Sequence, residues 1–228
     1  MNGKKIITVI QARFNSARLP GKALLDLCGK PVLERVVDQV RQASHSGEIW
    51  VATSDQSTDD PIARTCDRLH VHVHRGSLSD VLGRFCGAVH QSQADLIVRV
   101  TADNPLTEPR FIDAGVLQMM ADRYDYIYFE NIPYGSGVEI ITKEALFASD
   151  RMALDAQDRE HVTSFMKRNP GRFHIGRFSP PTRLSRPDIR VTLDTVEDYI
   201  RLFHMFHHFG NTTVTLEKAI AYLGRGAQ

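Results

Sequence analysis

Three cations share one short connection near the amino terminus. Arg13, Arg18 and Lys22 lie five and four residues apart in Gln11-Ala12-Arg13-Phe14-Asn15-Ser16-Ala17-Arg18-Leu19-Pro20-Gly21-Lys22. This segment follows the apolar run Ile6–Ile10, and Pro20-Gly21 marks a turn within it. Fixed cations on one loop ask for a polyanion. A nucleoside triphosphate carries about four negative charges, which three side chains and one divalent metal would roughly cancel. A solvated basic loop is the alternative.

Two acids have matching placements further on. Leu96-Ile97-Val98-Arg99-Val100-Thr101-Ala102-Asp103-Asn104-Pro105 is an apolar run that ends in an acid and then breaks. Ile189-Arg190-Val191-Thr192-Leu193-Asp194 repeats the device, and Thr195-Val196-Glu197-Asp198 follows with the spacing of a capping box. Taken singly, Asp194 reads as a helix cap and Asp103 as an Asx-turn residue. As a pair beside the basic loop they suit Mg²⁺, which takes one or two protein carboxylates and fills its other positions with phosphate oxygens and water.

The elements that must position these groups follow from periodicity. Ile6–Ile10, Ile49–Ala52, Val71–Val73 and Leu96–Val100 are short, β-branched runs. Between them, Val32–Gln42, Pro61–Arg68 and Val81–Gln91 carry apolar residues at helical spacing, with Pro31 and Pro61 suited to helix starts. Such alternation predicts an α/β fold with a mostly parallel, Rossmann-like sheet flanked by helices. Ligands of such sheets bind beyond the carboxyl ends of the strands, where the basic loop sits. After Pro105 the pattern predicts helix 109–120, strands at Tyr124–Phe129 and Val138–Ile141, helix Glu160–Arg168 and strand Arg172–Phe178. Ile189–Leu193 is the last expected strand, before helices Val196–Phe209 and Leu216–Leu223. The chain reads as one domain, with residues 124–187 a dimerising or substrate-covering elaboration.

Gln11-Ala12-Arg13 through Pro20-Gly21-Lys22 resembles the signature loop of the sugar-acid cytidylyltransferases, enzymes that make CMP-activated 3-deoxy-octulosonate and acylneuraminate. The likeness is closest to the spore-coat-polysaccharide branch and runs over most of the chain. It implies the fold of the nucleotide-diphospho-sugar transferases, CTP as donor, and Asp103 and Asp194 as the metal acids. It also implies that Gln11, Ala12, Arg13 and Lys22, with Thr53 and Ser54 at the second strand's end, hold the nucleotide. Arg75, Gly76 and Ser77 at the third strand's end, and the following Asp80 and Val81, complete that set, with Arg75 donating to the base. An ordinary turn with a capping Asp80 is the alternative there. Tyr134, Ser136, Glu139, Glu160 and His161 resemble the sugar side, although Glu160 could equally complement a helix dipole. In this reading Arg13, Arg18, Lys22, Asp103 and Asp194 are catalytic.

A cytidylyltransferase acting on a phosphorylated small molecule stands beside that reading, as do two readings from other classes. A glycosyltransferase on a similar scaffold would show D-x-D after a central strand, where this chain has Asp103-Asn104-Pro105. A non-catalytic nucleotide-binding subunit would have lost a metal acid or a phosphate cation. His70, His72 and His74 alternate along a predicted strand, and His204, His207 and His208 lie on an amphipathic helix. Both sets read better as structural than as zinc ligands.

Composition sets the outer bounds. With 42% hydrophobic and 24% charged residues over 228 positions, the chain is ordinary for a globular domain. A net charge of +1 gives no electrostatic case for nucleic acid or a membrane. Three cysteines without metal spacing, and a start at Met1-Asn2-Gly3-Lys4-Lys5 that leads into too few apolar residues for a signal-peptide core, predict a reduced, cytoplasmic protein. The expected partners are CTP, Mg²⁺, a small-molecule acceptor and a second copy of the chain.

Overall fold

The apolar runs of the first hundred residues pair side by side. In the computed structural model, which describes residues 3–210 and 213–224, β1 (Ile6–Gln11) lies between β2 (Glu48–Ser54) and β4 (Leu96–Thr101), parallel to both. β3 (His72–Gly76) extends the sheet beyond β2. Met1 and Asn2, part of the predicted polar start, lie outside the described residues. The chain winds outward from β1 through β2 to β3, then returns across β1 to lay down β4. That reversal leaves a crevice between the carboxyl ends of β1 and β4.

The segment 124–187 joins the same sheet. β5 (Tyr126–Phe129), β6 (Glu139–Thr142) and β7 (Ile175–Phe178) complete the order β3-β2-β1-β4-β6-β5-β7, and β6 alone runs antiparallel to its neighbours. Helices cover both faces. α1 (Val32–Val40), α2 (Asp60–Leu69), α4 (Pro109–Ala121), α8 (Val196–Phe209) and α9 (Leu216–Leu223) pack one core. α3 (Val81–Ser92), α5 (Lys143–Met152) and α7 (Ser164–Arg168) pack the other. Strand residues alternate between the two: Ile97 enters one core, and Val98 and Val100 the other. Among the described residues no helix is long and apolar enough to cross a membrane.

Three expectations are corrected. Ile189–Leu193 is not a strand; its only pairing is an isolated bridge between Arg190 and Tyr134. Ile189, Val191 and Leu193 are buried against the helices, so their alternation records burial without a ladder. The helix expected over Glu160–Arg168 is two: α6 (Ala156–His161) stops at Val162, whose φ of 56° breaks the turn, and α7 follows. His70 is not on a strand, because it ends α2 in a left-handed conformation, while His72 stacks on Trp50 at 4.6 Å.

Candidate active site

The loop after β1 is held in place before any ligand arrives. Ala12 N–H donates to the Ala52 carbonyl (3.1 Å), and Phe14 N–H donates to Asp59 Oδ1 (2.7 Å). Gly21 closes the loop onto the Phe14 carbonyl at φ 70°, and a Cβ there would sit 3.1 Å from the Phe14 ring. Lys22 then opens a 3₁₀ turn with its ammonium aimed back over the crevice.

Lys22 meets both acids. Its Nζ lies 2.5 Å from Asp103 Oδ2 and 2.8 Å from Asp194 Oδ1, so the two carboxylates share one point at the carboxyl end of β4. Backbone geometry explains the convergence: Leu193 N–H donates to the Asp103 carbonyl (2.8 Å), tying the residue before Asp194 to the end of β4. Asp198, buried in the first turn of α8, accepts from Asp194 N–H (3.0 Å) and from Arg190 and Arg201. Thr195, not Asp194, caps α8. Burial alone would raise the Asp194 carboxyl, but Lys22, Arg190 and Arg18 outweigh it and hold it below the usual range. Arg18 reaches Asp194 at 3.2 Å, and Arg13 pairs with Glu160 of α6 at 2.7 Å.

No three His, Cys, Asp or Glu side chains converge as a metal set among the described residues. Two carboxylates around one cation, open to the cleft, do fit a hard divalent ion that completes its shell with phosphate oxygens and water.

These groups line a cleft of about 670 Å³. Its wall takes in Gln11, Ala12, Arg13, Arg18, Lys22, Val81, Asp103, Asp194, Tyr134, Glu139, Glu160 and His161, all singled out in the sequence. Seven others stand off it. Thr53 and Ser54 donate to the buried Asp59, the residue that pins Phe14. Arg75 turns away to Asp60 (2.7 Å) and to the Ser54 and Gln56 carbonyls. Gly76 lies under the Arg84 stem, with room for a Cβ only 3.2 Å from Cγ. Ser77 lends its carbonyl to Arg84 (3.1 Å), and Asp80 caps α3 and pairs with Arg159. Ser136 is buried and donates to the Pro133 carbonyl (2.8 Å).

Arg84, Arg99 and Lys167 also line the cleft, and the sequence reading did not assign them a role. Two of them left a signal: Arg99 is the lone charge in a buried strand, and Arg84 sits between Leu82 and Phe85 on an apolar face. Arg99 and Lys167 share Glu139. That carboxylate accepts from Arg99, from Lys167 (2.7 Å), from the Tyr126 hydroxyl and from the Thr163 hydroxyl (3.1 and 3.2 Å). Burial would push Glu139 up, yet Arg99 and Lys167 draw it down to about 2. Burial and the facing Glu139 charge together push the Tyr126 hydroxyl well above its usual range.

A family model described as cytidylyltransferase matches residues 7–220. The chain belongs to the cytidylyltransferase family. It is a CTP-dependent nucleotidyltransferase, which sets aside the glycosyltransferase and non-catalytic readings. The enzyme is 37% identical over 224 residues to the uncharacterized protein MJ1063 of Methanocaldococcus jannaschii, covering 98% of this chain and 92% of that one. It is 33% identical to the spore coat polysaccharide biosynthesis protein SpsF of Bacillus subtilis, over 96% and 94% of the two chains. A 3-deoxy-manno-octulosonate cytidylyltransferase of Geobacter metallireducens is 30% identical, over 73% of this chain and 62% of that one. The solved structure of a cytidylyltransferase from Leptospira borgpetersenii superposes with a TM-score of 0.92 at 25% identity, covering 99% of this chain and 96% of that one.

Proposed function

We propose that the enzyme transfers CMP from CTP to the hydroxyl of a sugar acid of the ulosonic or nonulosonic type, releasing pyrophosphate, in surface polysaccharide biosynthesis. The observation that carries this reading is the meeting of Asp103, Asp194 and Lys22 at the crevice between β1 and β4. Arg13, Arg18 and Lys22 exchange their carboxylate partners for the β- and γ-phosphates as the triphosphate enters. Asp103 and Asp194 would hold Mg²⁺, which would supply charge neutralisation of the triphosphate when bound. The acceptor oxygen attacks the α-phosphorus in line; the new P–O bond forms as the α–β bridging bond breaks, and the hydroxyl proton passes to solvent. Catalysis on this plan is positioning and electrostatic stabilisation.

The acceptor half of the cleft supports an acidic sugar. Glu139 has both oxygens occupied, so it holds Arg99 and Lys167 rather than the sugar itself. Two cations around one acid leave a net positive charge, which one carboxylate on the acceptor neutralises. Tyr134, half exposed under the Arg190 guanidinium (4.8 Å), and His161 and Glu160 of α6 border the same space. SpsF acts by name in polysaccharide biosynthesis, and the octulosonate enzymes by name on a sugar acid, which supports the class.

Two further parts complete the reading. Leu154, 90% exposed, and Tyr134 lie in the segment 124–187 and support a homodimer formed there. The free cysteines Cys28, Cys66 and Cys86 suit a reducing cytoplasm. The test is CTP-dependent pyrophosphate release across a panel of sugar acids and phosphorylated small molecules with Mg²⁺ present. Release with a sugar acid supports the proposal, and release with phosphorylated acceptors alone overturns it. A monomer by light scattering at high micromolar concentration overturns the dimer.

A further inference from the structure

Asp59 is a buried acid that the chemistry in the cleft does not use. It is 1% exposed and ends the short turn Ser57–Asp59 between β2 and α2. It precedes α2, yet its side chain makes no capping bond to that helix. Burial alone would raise its carboxyl, but donors from Ser54, Phe14 and Thr53 outweigh it and hold the group below its usual range. A buried carboxylate kept charged by neutral donors is a costly way to build a turn, so the segments that supply those donors matter.

There are two of them. Oδ2 accepts the Ser54 N–H (2.9 Å), the Thr53 hydroxyl (3.0 Å) and the Ser54 hydroxyl, all at the carboxyl end of β2. Oδ1 accepts the Phe14 N–H (2.7 Å) from the loop after β1. That loop folds on the Phe14 peptide, whose carbonyl accepts from Ser16 (2.9 Å) and Gly21 (2.7 Å). Arg13 and Lys22 flank this closure, and Arg18 lies inside it. None of the three cations pairs with Asp59: Arg13 reaches Glu160, and Arg18 and Lys22 reach Asp194. Asp59 therefore acts on them only through the backbone. Its own turn is seated on β3, where Arg75 donates to the Ser54 (2.9 Å) and Gln56 (2.8 Å) carbonyls.

We propose that Asp59 is a positioning residue for the triphosphate. Through Phe14 it sets the loop in the shape from which Arg13, Arg18 and Lys22 grip the phosphates, so binding does not have to order the loop. The inference rests on the triphosphate site described under Proposed function. The donors explain why the residue is an acid. Hydroxyls can reverse, but the Phe14 and Ser54 N–H groups cannot, and they meet opposite oxygens. An asparagine has one oxygen, so whichever way its amide turns, an N–H faces an N–H.

Asp59→Asn in the full chain, titrated calorimetrically with CTP, CMP and inorganic tripolyphosphate, tests it. CTP and tripolyphosphate should both bind roughly tenfold more weakly than to the wild type, because the loss is in the grip on phosphate. CMP, which lacks the β- and γ-phosphates, should bind as before. A folded D59N that loses thermal stability but keeps wild-type affinity for CTP and tripolyphosphate overturns the proposal and leaves Asp59 a folding residue. So does an equal loss for CMP, which would mean that the whole site had loosened. If D59N does not fold, amide hydrogen exchange in the wild type decides. Slow exchange at Phe14, Ser16 and Gly21 without nucleotide supports the proposal, and fast exchange that slows only when CTP is added overturns it. A wild type that binds neither CTP nor tripolyphosphate overturns the triphosphate site itself, a failure seen in the wild type and so distinct from any outcome in D59N.

Discussion

Two charged centres face each other across the cleft with their signs reversed. At the β1–β4 crevice, two acids, Asp103 and Asp194, surround one lysine. On the β5–β6 side, two cations, Arg99 and Lys167, surround one acid, Glu139. Each centre is internally paired, so neither leaves a bare charge in a half-buried space. The second has one positive charge in excess, whereas at the first Asp194 also pairs with Arg18 and Arg190, so what distinguishes the first is an acid open to the cleft rather than a net charge. They differ in saturation too. Asp103 has a single side-chain partner in Lys22 and stays open to the cleft, whereas Glu139 is filled on both oxygens. The open acid is placed to act on a ligand, and the filled one to hold other residues in position.

The sharpest way to break that comparison is to discharge the first centre. Asp103→Asn and Asp194→Asn each keep size and a carbonyl acceptor while removing the charge that would hold the metal. Each is expected to cost several kcal/mol in the transition state, roughly a thousandfold in kcat or more, with the fold intact. Arg18→Ala instead weakens CTP binding along with turnover, because its phosphate partner is present before the reaction. A folded Asp194→Asn with near wild-type kcat would sink the metal assignment and leave Asp194 a structural residue.

Discharging the second centre should act first on stability. Glu139→Gln leaves Arg99 and Lys167 without their shared counter-charge, a loss on the order of 3 kcal/mol for a broken, largely buried pair. For a chain of this size that is a fall in Tm of roughly 6–12 °C. Thermal unfolding followed by circular dichroism measures it, and an unchanged Tm would show that the cage contributes nothing. Acceptor KM should rise more than CTP KM in the same variant, since the two cations lose their fixed placement.

How much of this was legible depends on whether a feature is local. β1, β2 and β4 were legible because each carries a nearly continuous apolar run, and β3 through its β-branched Val71 and Val73, whereas the strand order that sets the switch point between β1 and β4 was not predicted. The pairing of Asp103 with Asp194 was legible because each acid ends such a run. Ile189–Leu193 misled because burial on one face produces the same alternation as a strand, and only the absent ladder distinguishes them. The break at Val162 was invisible, since a buried β-branched residue at positive φ is imposed by its surroundings. Thr53, Ser54 and Arg75 have the chemistry to bind a nucleotide, but Asp59 and Asp60, a few residues away, claim them first.

The pH response should separate the two centres. Glu139 falls from an unfolded value of 4.5 to about 2 in the folded enzyme, so its contribution is present in full above 4.5. As pH drops below 4.5 the unfolded chain takes up the proton first, and the contribution is lost by about 2. Asp194 and Asp198 are also held below their ordinary value and add to the same acid limb. Urea unfolding between pH 6 and pH 2 should therefore show a shallower acid loss in Glu139→Gln than in the wild type. Parallel curves would mean that Glu139 titrates alike folded and unfolded, and that its cage is not electrostatic.

The smallest effect belongs to the contact that links the two sides. Arg13 of the phosphate loop pairs with Glu160 of α6 at 2.7 Å, and both side chains are roughly half exposed. An exposed pair of this kind contributes at most about 1 kcal/mol, so Glu160→Gln should leave Tm nearly unchanged. Its consequence lies in binding. The triphosphate must take Arg13 from Glu160, and removing the competing carboxylate frees the guanidinium in advance. CTP affinity in Glu160→Gln should rise about two- to fivefold, with the gain shrinking at high salt as screening weakens the original pair. A fall in CTP affinity would instead make Glu160 part of the nucleotide site. An unchanged affinity would show that Arg13 does not exchange partners when CTP binds, and that the basic loop grips the phosphates through Arg18 and Lys22 alone.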